Sequence, residues 1–202
     1  SEWIKPAEGE KLAFEIKGVG KPFDAKLIPF YKTYKNFYSV YWDYFTPEQW
    51  VVRQAEYEKE KKEEQEIEAR TVDNFRIGEM QPERDHKLVA GEKSYVSDAL
   101  GVNGREARSG SYFSFEMKVG SSSDNQLMLT YIGDDKDRKF DILVNDKVIA
   151  TEELKGGTTG KFYRKTYPLP KALIGESDKI VVKIAATHNK TAGRVFGARV
   201  TK

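Results

Sequence analysis

Gln81-Pro-Glu-Arg-Asp-His86 sets four functional side chains in an unbroken row that ends on one of only two histidines in the chain. Glu83, Asp85 and His86 are residue types that hold a metal or hydrogen-bond a polar ligand, and Arg84 is placed to pair with a carboxylate. The same row also suits a loop whose charges pin neighbouring elements to a β-sandwich, because consecutive side chains rarely all point at one ligand.

Other chemistry thins out quickly. Gly133-Asp-Asp-Lys-Asp137 has the carboxylate density of a calcium loop but lacks the glycine and glutamate positions of an EF-hand, which favours a solvated turn. Asn189-Lys-Thr191 matches a glycosylation sequon, a pattern that chance supplies often. A glycosidase needs two carboxylates facing each other across a sugar, and 32 acidic residues offer pairs too freely for any one to stand out. With no cysteine, disulfides, thiolate zinc sites and a cysteine nucleophile are all excluded. No catalytic residue, metal ligand set or cofactor is therefore assigned.

Eleven Tyr, eleven Phe and three Trp supply the amphipathic rings that sugar faces stack against. Tyr34, Tyr38, Trp42 and Tyr44 alternate in the first part of the chain, and Tyr112, Tyr131, Tyr163 and Tyr167 fall in the second. Tyr112 and Tyr131 join Glu83, Arg84, Asp85 and His86 as candidate ligand contacts. The competing use of these rings is packing, since strands favour aromatics in any case.

These residues need elements to position them. Residues 1–45 alternate as half-buried strands do, at 11–17, 25–30 and 37–45. Thr46-Pro47-Glu48-Gln49 then offers an N-cap, a proline for the first helical position and a capping-box Gln, which predicts a helix to about Arg70. Glu58 with Lys62 and Lys59 with Glu63 lie four apart and support it, and at 1.5 Å per residue it would make a solvated spacer of roughly 35 Å between two β units. From 71 to 202 strand patterns resume at 112–119, 126–132, 139–144, 147–150, 162–167, 179–185 and 194–200, with turn residues and no helix between them. The expected fold class is mainly β, an antiparallel jelly-roll or galactose-binding-like sandwich preceded by a few strands and one long charged helix. Asn145-Asp146 between two apolar runs predicts a tight hairpin.

Charge narrows the partners. The 202 residues hold 34 Lys plus Arg against 32 Asp plus Glu, and a net +2 gives no field to recruit nucleic acid or an anionic membrane. No apolar run approaches the length of a membrane helix, and the opening SEWIKPAEGE lacks the pattern of a signal peptide, so any leader would lie upstream of Ser1.

Several segments in order carry a resemblance: Leu27-Ile-Pro-Phe-Tyr31, Tyr38-Ser-Val-Tyr-Trp42, Arg70-Thr-Val-Asp73, Gln81-Pro-Glu-Arg-Asp-His86, Tyr112-Phe-Ser-Phe115, Leu129-Thr-Tyr131, Phe140-Asp-Ile-Leu-Val144 and Val195-Phe-Gly-Ala-Arg-Val200. Together they resemble the C-terminal region of the β-L-arabinofuranosidase-like hydrolases, glycoside hydrolase family 127. The resemblance implies that residues 1–45 finish one sandwich and 71–202 form another, behind an (α/α) catalytic barrel that this chain does not contain. It also implies a zinc-held cysteine nucleophile in that barrel, which a cysteine-free chain cannot supply. One departure is Arg105-Glu-Ala-Arg-Ser-Gly110, where an expected tryptophan is missing, so no ligand role is carried to that loop.

The expected function is a non-catalytic accessory segment of a secreted or periplasmic glycoside hydrolase, structural and glycan-contacting, whose partners are the upstream barrel and carbohydrate. The rival is a protein-interaction module docking a partner subunit through the charged helix or a sheet edge. A third, weaker reading is a calcium-stabilised adhesin-like domain.

Overall fold

The computed structural model describes residues 3–17, 24–29, 32, 45–157 and 159–202. The chain divides into two compact units, Ser1–Ala55 and Glu56–Lys202.

In the first unit, β1 (Ile4–Pro6), β2 (Phe14–Ile16) and β3 (Ala25–Leu27) form an antiparallel sheet in that order. Two of the three strands fall inside the runs that alternation predicts. β1 is additional, too short and too close to Pro6 to leave a period, and most of the run at 37–45 lies outside the described residues.

Helix α1 (Pro47–Arg70) starts as the capping box requires. The Thr46 amide donates to Gln49 Oε1 at 2.9 Å and the Gln49 amide donates to Thr46 Oγ1 at 3.3 Å, which satisfies two amides that a helix start leaves open. No residue of α1 is fully buried. Its last turns are nonetheless anchored: Glu64 accepts from Arg164 at 2.7 Å and Arg199 at 3.1 Å, and Glu68 pairs with Arg199 at 3.3 Å. The expected solvated spacer thus ends in a set of ion pairs to the sandwich.

The second unit is the antiparallel sandwich that the strand pattern predicts. One sheet has the order β11 (Lys147–Lys155), β10 (Lys136–Val144), β13 (Lys179–Ala186), β8 (Tyr112–Lys118), β5 (Val89–Ala90). The other runs β12 (Phe162–Pro168), β9 (Gln126–Ile132), β15 (Gly197–Thr201), β4 (Thr71–Arg76). From β8 to β10 the chain passes from one sheet to the other and back, and it does so again from β11 through β12 to β13, which is the crossing habit of a jelly roll. A third sheet, β14 (Thr191–Val195), β7 (Val102–Arg108), β6 (Ser94–Ala99), completes the unit.

Period-two alternation builds the core. On β8 Phe113, Phe115 and Met117 point inward, and register sets them beside Ile184, Val182 and Ile180 of β13, which in turn face Ile142 and Val144 of β10. The opposing sheet contributes Leu127, Leu129, Ala198, Val200 and Phe75. Asn145 and Asp146 both take positive φ, 49° and 62°, and close the β10–β11 hairpin as their types predict.

Two expectations change. Residues 71–202 do contain helices, α2 (Met80–Asp85) and α3 (Lys171–Ile174), each too short to leave a helical period. The strands β4, β5, β6 and β7 and the start of β14 fall outside the predicted runs, the run at 194–200 divides at Phe196 between β14 and β15, and β7 carries Asn, Gly and Arg where a simple strand would alternate. Gly104 shows why: a Cβ there would lie 2.8 Å from the Phe196 ring and from the Val195 carbonyl oxygen.

Phe115 lies between Phe75 and Phe113 with its ring fully enclosed. Phe115→Ala is expected to lower stability by about 3–5 kcal/mol in urea unfolding, whereas Val181→Thr on the exposed face of the same sheet changes it by about 0.5 kcal/mol or less.

Candidate functional site

The row from Gln81 to His86 forms α2 and its C-terminal cap, and a helix turns neighbouring side chains some 100° apart. Its members accordingly diverge. Glu83 turns inward, accepts the Gly78 amide at 2.9 Å, and grips Arg105 through both carboxylate oxygens at 2.9 and 2.6 Å. Arg105 also reaches Ser94 Oγ at 3.4 Å, so this pair ties α2 to β6 and β7. Arg84, expected to pair with a carboxylate, is exposed and makes no ion pair among the described residues; Arg105 does that work instead.

Asp85 is exposed and accepts from Gln81 at 2.8 Å. His86 is half-buried and stacks on Phe75 with ring centroids 4.4 Å apart. Its Nδ1 faces the Pro82 carbonyl oxygen at 2.9 Å and its Nε2 faces Asp73 Oδ1 at 3.3 Å. Asp73 in turn accepts the Lys118 amide at 2.7 Å, and the His86 carbonyl accepts the Glu116 amide at 2.8 Å, which fastens α2 onto β4 and β8.

Beside this junction opens a cleft of about 150 Å³, lined by Asp73, Asp85, His86, Glu116, Lys118 and Lys179 over Met117. Glu116 bonds Lys87 at 2.9 Å and pairs with Lys179 at 3.6 Å; the hydrogen bond from Lys87, against a smaller opposing effect of burial, holds its carboxyl below the usual range. The cleft therefore presents carboxylate and ammonium groups side by side. Of the predicted site residues, the structure brings Asp85 and His86 together here.

Tyr112 lies on the same outer face of β8, half-buried, with Lys183 Nζ 4.4 Å from its ring centroid. At about 3.4 Å per residue it sits roughly 14 Å along the strand from Glu116. Tyr131 is fully buried and cannot face a ligand. Its hydroxyl meets Tyr167 Oη at 3.1 Å, and Tyr167 donates to Glu152 at 2.9 Å while Lys165 bonds the other carboxylate oxygen. Burial, reinforced by the neighbouring Tyr167, pushes the Tyr131 hydroxyl well above its ordinary range, so it stays neutral. Tyr34, Tyr38, Trp42 and Tyr44 lie outside the described residues.

The acidic turn at 133–137 is engaged by the protein itself. Asp135 accepts the Arg194 amide at 2.8 Å and its guanidinium at 2.9 Å, and pairs with Arg138 at 3.2 Å, while Asp134 accepts the Gly160 amide at 2.8 Å. Among the described residues no group of three or more His, Asp or Glu is arranged to hold a metal ion. Arg138 continues to Glu106 at 2.7 Å, and Glu106 to Arg108, a charged line that sequence reasoning missed because β7, β10 and β14 bring it together from distant segments.

Residues 66–201 match the model of a family described as a family of unknown function, DUF6805. The chain belongs to that family. No curated protein matches it. The DUF6805 chain is similar to a solved family 35 carbohydrate binding module from an environmental isolate, with 14% identity and a TM-score of 0.49 over 64% of this chain and 92% of that one. It is also similar to a family 35 carbohydrate binding module from Clostridium thermocellum, with 13% identity and a TM-score of 0.44 over 63% of this chain and 95% of that one. A third likeness is to the GH26-CBM35 β-(1,4)-mannanase of Podospora anserina, with 12% identity and a TM-score of 0.44 over 63% of this chain and 27% of that one. No helix among the described residues of the DUF6805 chain is long and apolar enough to cross a membrane.

Glu83→Gln is expected to cost roughly 3 kcal/mol by leaving Arg105 unpaired in a dry position, whereas Asp85→Asn shifts the urea midpoint little. Burial acts to raise the Glu106 carboxyl, but hydrogen bonds from Arg138 and Arg108 outweigh it and hold the group below 4.5. The unfolded chain therefore takes up this proton first as pH falls. The Glu106 contribution is full above about pH 4.5 and is lost as pH drops through the lower folded-state value. Unfolding midpoints measured down to about pH 3 should fall less steeply with acid in Glu106→Gln than in the wild type.

Proposed function

We propose that this chain is a non-catalytic accessory β-sandwich of a larger extracytoplasmic glycoside hydrolase, one resembling the family 127 enzymes, and that it contacts carbohydrate at the cleft beside α2. The observation that carries the reading is the cleft itself, where Asp85 and Glu116 offer acceptors and Lys118, Lys179 and His86 offer nitrogen groups on helix and strand ends. Sugar hydroxyls both donate and accept, so alternating partners on rigid elements suit them. The acids best placed for chemistry by burial, Glu83, Glu106, Asp135 and Glu152, are each bonded to Arg or Lys, which leaves them poorly suited to proton transfer. Tyr112 lies on the same face of β8 as the proposed contact surface, and Tyr131 serves the core.

Calorimetric titration of the full chain with neutral oligosaccharides tests this. Binding is expected, with Asp85→Asn combined with Lys118→Met weakening it roughly tenfold at unchanged unfolding temperature. Arabinofuranoside hydrolysis by the chain alone would contradict the non-catalytic reading.

The protein-docking alternative is favoured by one observation, the exposed Trp50, Val51, Val52 and Tyr57 of α1. If it operates, a pulldown with the barrel portion supplied separately will capture the barrel, and Trp50→Ala will abolish the capture.

A further inference from the structure

At the end of β7 five charged side chains form a line of alternating sign, Arg108, Glu106, Arg138, Asp135 and Arg194. It holds three cations and two anions. The carboxylates are nearly dry, Glu106 4% and Asp135 2% exposed, whereas the Arg108 side chain is 59% exposed, so the surplus positive charge reaches solvent at Arg108.

The guanidinium there is only half used. Glu106 engages the Nε and Nη2 edge, and Nη1 has no partner among the described residues. The remaining Nη1/Nη2 edge is the one that grips an oxyanion through two parallel hydrogen bonds. The Tyr95 ring, 46% exposed, supports the guanidinium with its centroid 5.3 Å from Cζ. Held at one edge by a carboxylate and on one face by a ring, Arg108 has little rotamer freedom left to lose on binding. The Arg108 amide donates to the Lys93 carbonyl at 3.0 Å and the Ser109 amide to the Lys190 carbonyl at 2.8 Å, so two more exposed lysines emerge from the adjoining backbone.

The geometry points to Arg108 and Tyr95 as a binding site for an oxyanion carried on a glycan, a carboxylate or a sulfate, with Tyr95 adding ring surface for the sugar that bears it. The site shares no residue with the His86 cleft, and it rests on the carbohydrate reading only for the carrier of the anion.

The test titrates the full chain with three disaccharides, one bearing a uronate carboxylate, one bearing a sulfate and one neutral. At least one anionic disaccharide should bind, and Arg108→Gln should weaken that binding roughly tenfold to a hundredfold. Arg108→Lys, which keeps the charge but loses the fork, should weaken it roughly tenfold. Glu106 retains Arg138 in both variants, and thermal unfolding of Arg108→Lys checks that the fold persists. Preference between the two anionic sugars identifies the oxyanion. Equal binding by wild type and both variants, or no preference for either anionic sugar over the neutral one, would overturn the inference. Neutral sugar bound at the His86 cleft without any Arg108 dependence leaves the accessory reading standing alone. Arg108-dependent anion binding with no neutral binding retains this site and removes the cleft.

Discussion

Two carboxylates, Glu106 and Asp135, are enclosed in the sandwich with almost no access to water, and the arrangement of the third sheet follows from that. A bare carboxylate in such a place would be prohibitively unfavourable, so each must be met by cations at hydrogen-bond distance. Arg138 meets both, Arg108 closes one end and Arg194 the other. These ion pairs join β7, β10 and β14 in addition to the β7–β14 ladder and the buried Ala107, Ala192 and Val195. Glu83 and Arg105 extend the same logic to α2, and through α2 to the His86 junction. No buried side-chain nitrogen or oxygen among the described residues is left without a partner.

This constraint also separates structural polar groups from available ones. Glu152, Tyr167 and Tyr131 form a closed set between β11, β12 and β9, reaching solvent only through Lys165. Asp85, Glu116, Lys118 and Lys179 instead border an open cleft, and Arg108 keeps one edge of its guanidinium toward water. Side chains of the same types are thus either closed off within the fold or left open to solvent according to which face of a strand carries them. The helix α1 follows the pattern: its C-terminal half is densely charged, and Glu64 and Glu68 tie it to Arg164 and Arg199.

Much of the fold was legible in the sequence where the physics is local. The capping box at Thr46 and Gln49, the Asn145-Asp146 hairpin and the alternation of Phe113, Phe115 and Met117 all depend on neighbours within a few residues. What was not legible depends on distant partners. Glu106 and Arg138 lie 32 residues apart and Asp135 and Arg194 59 apart, and nothing beside them marks them as buried. Tyr131 looked like a candidate contact because an aromatic on a strand carries no mark of which face it takes. The row from Glu83 to His86 had the right composition for a site, but its helical turn sends Glu83 to Arg105 and leaves only Asp85 and His86 at the cleft.

In the proposed arrangement the outward polar groups beside α2 make contact while the inward ones hold the fold. Backbone amide NMR of the full chain during titration with a neutral oligosaccharide addresses that claim most directly. The account predicts shifts gathered at His86, Lys87, Glu116, Met117, Lys118 and Lys179, with the β9 and β10 core unmoved. Shifts confined to α1, or none at saturating sugar, would contradict it.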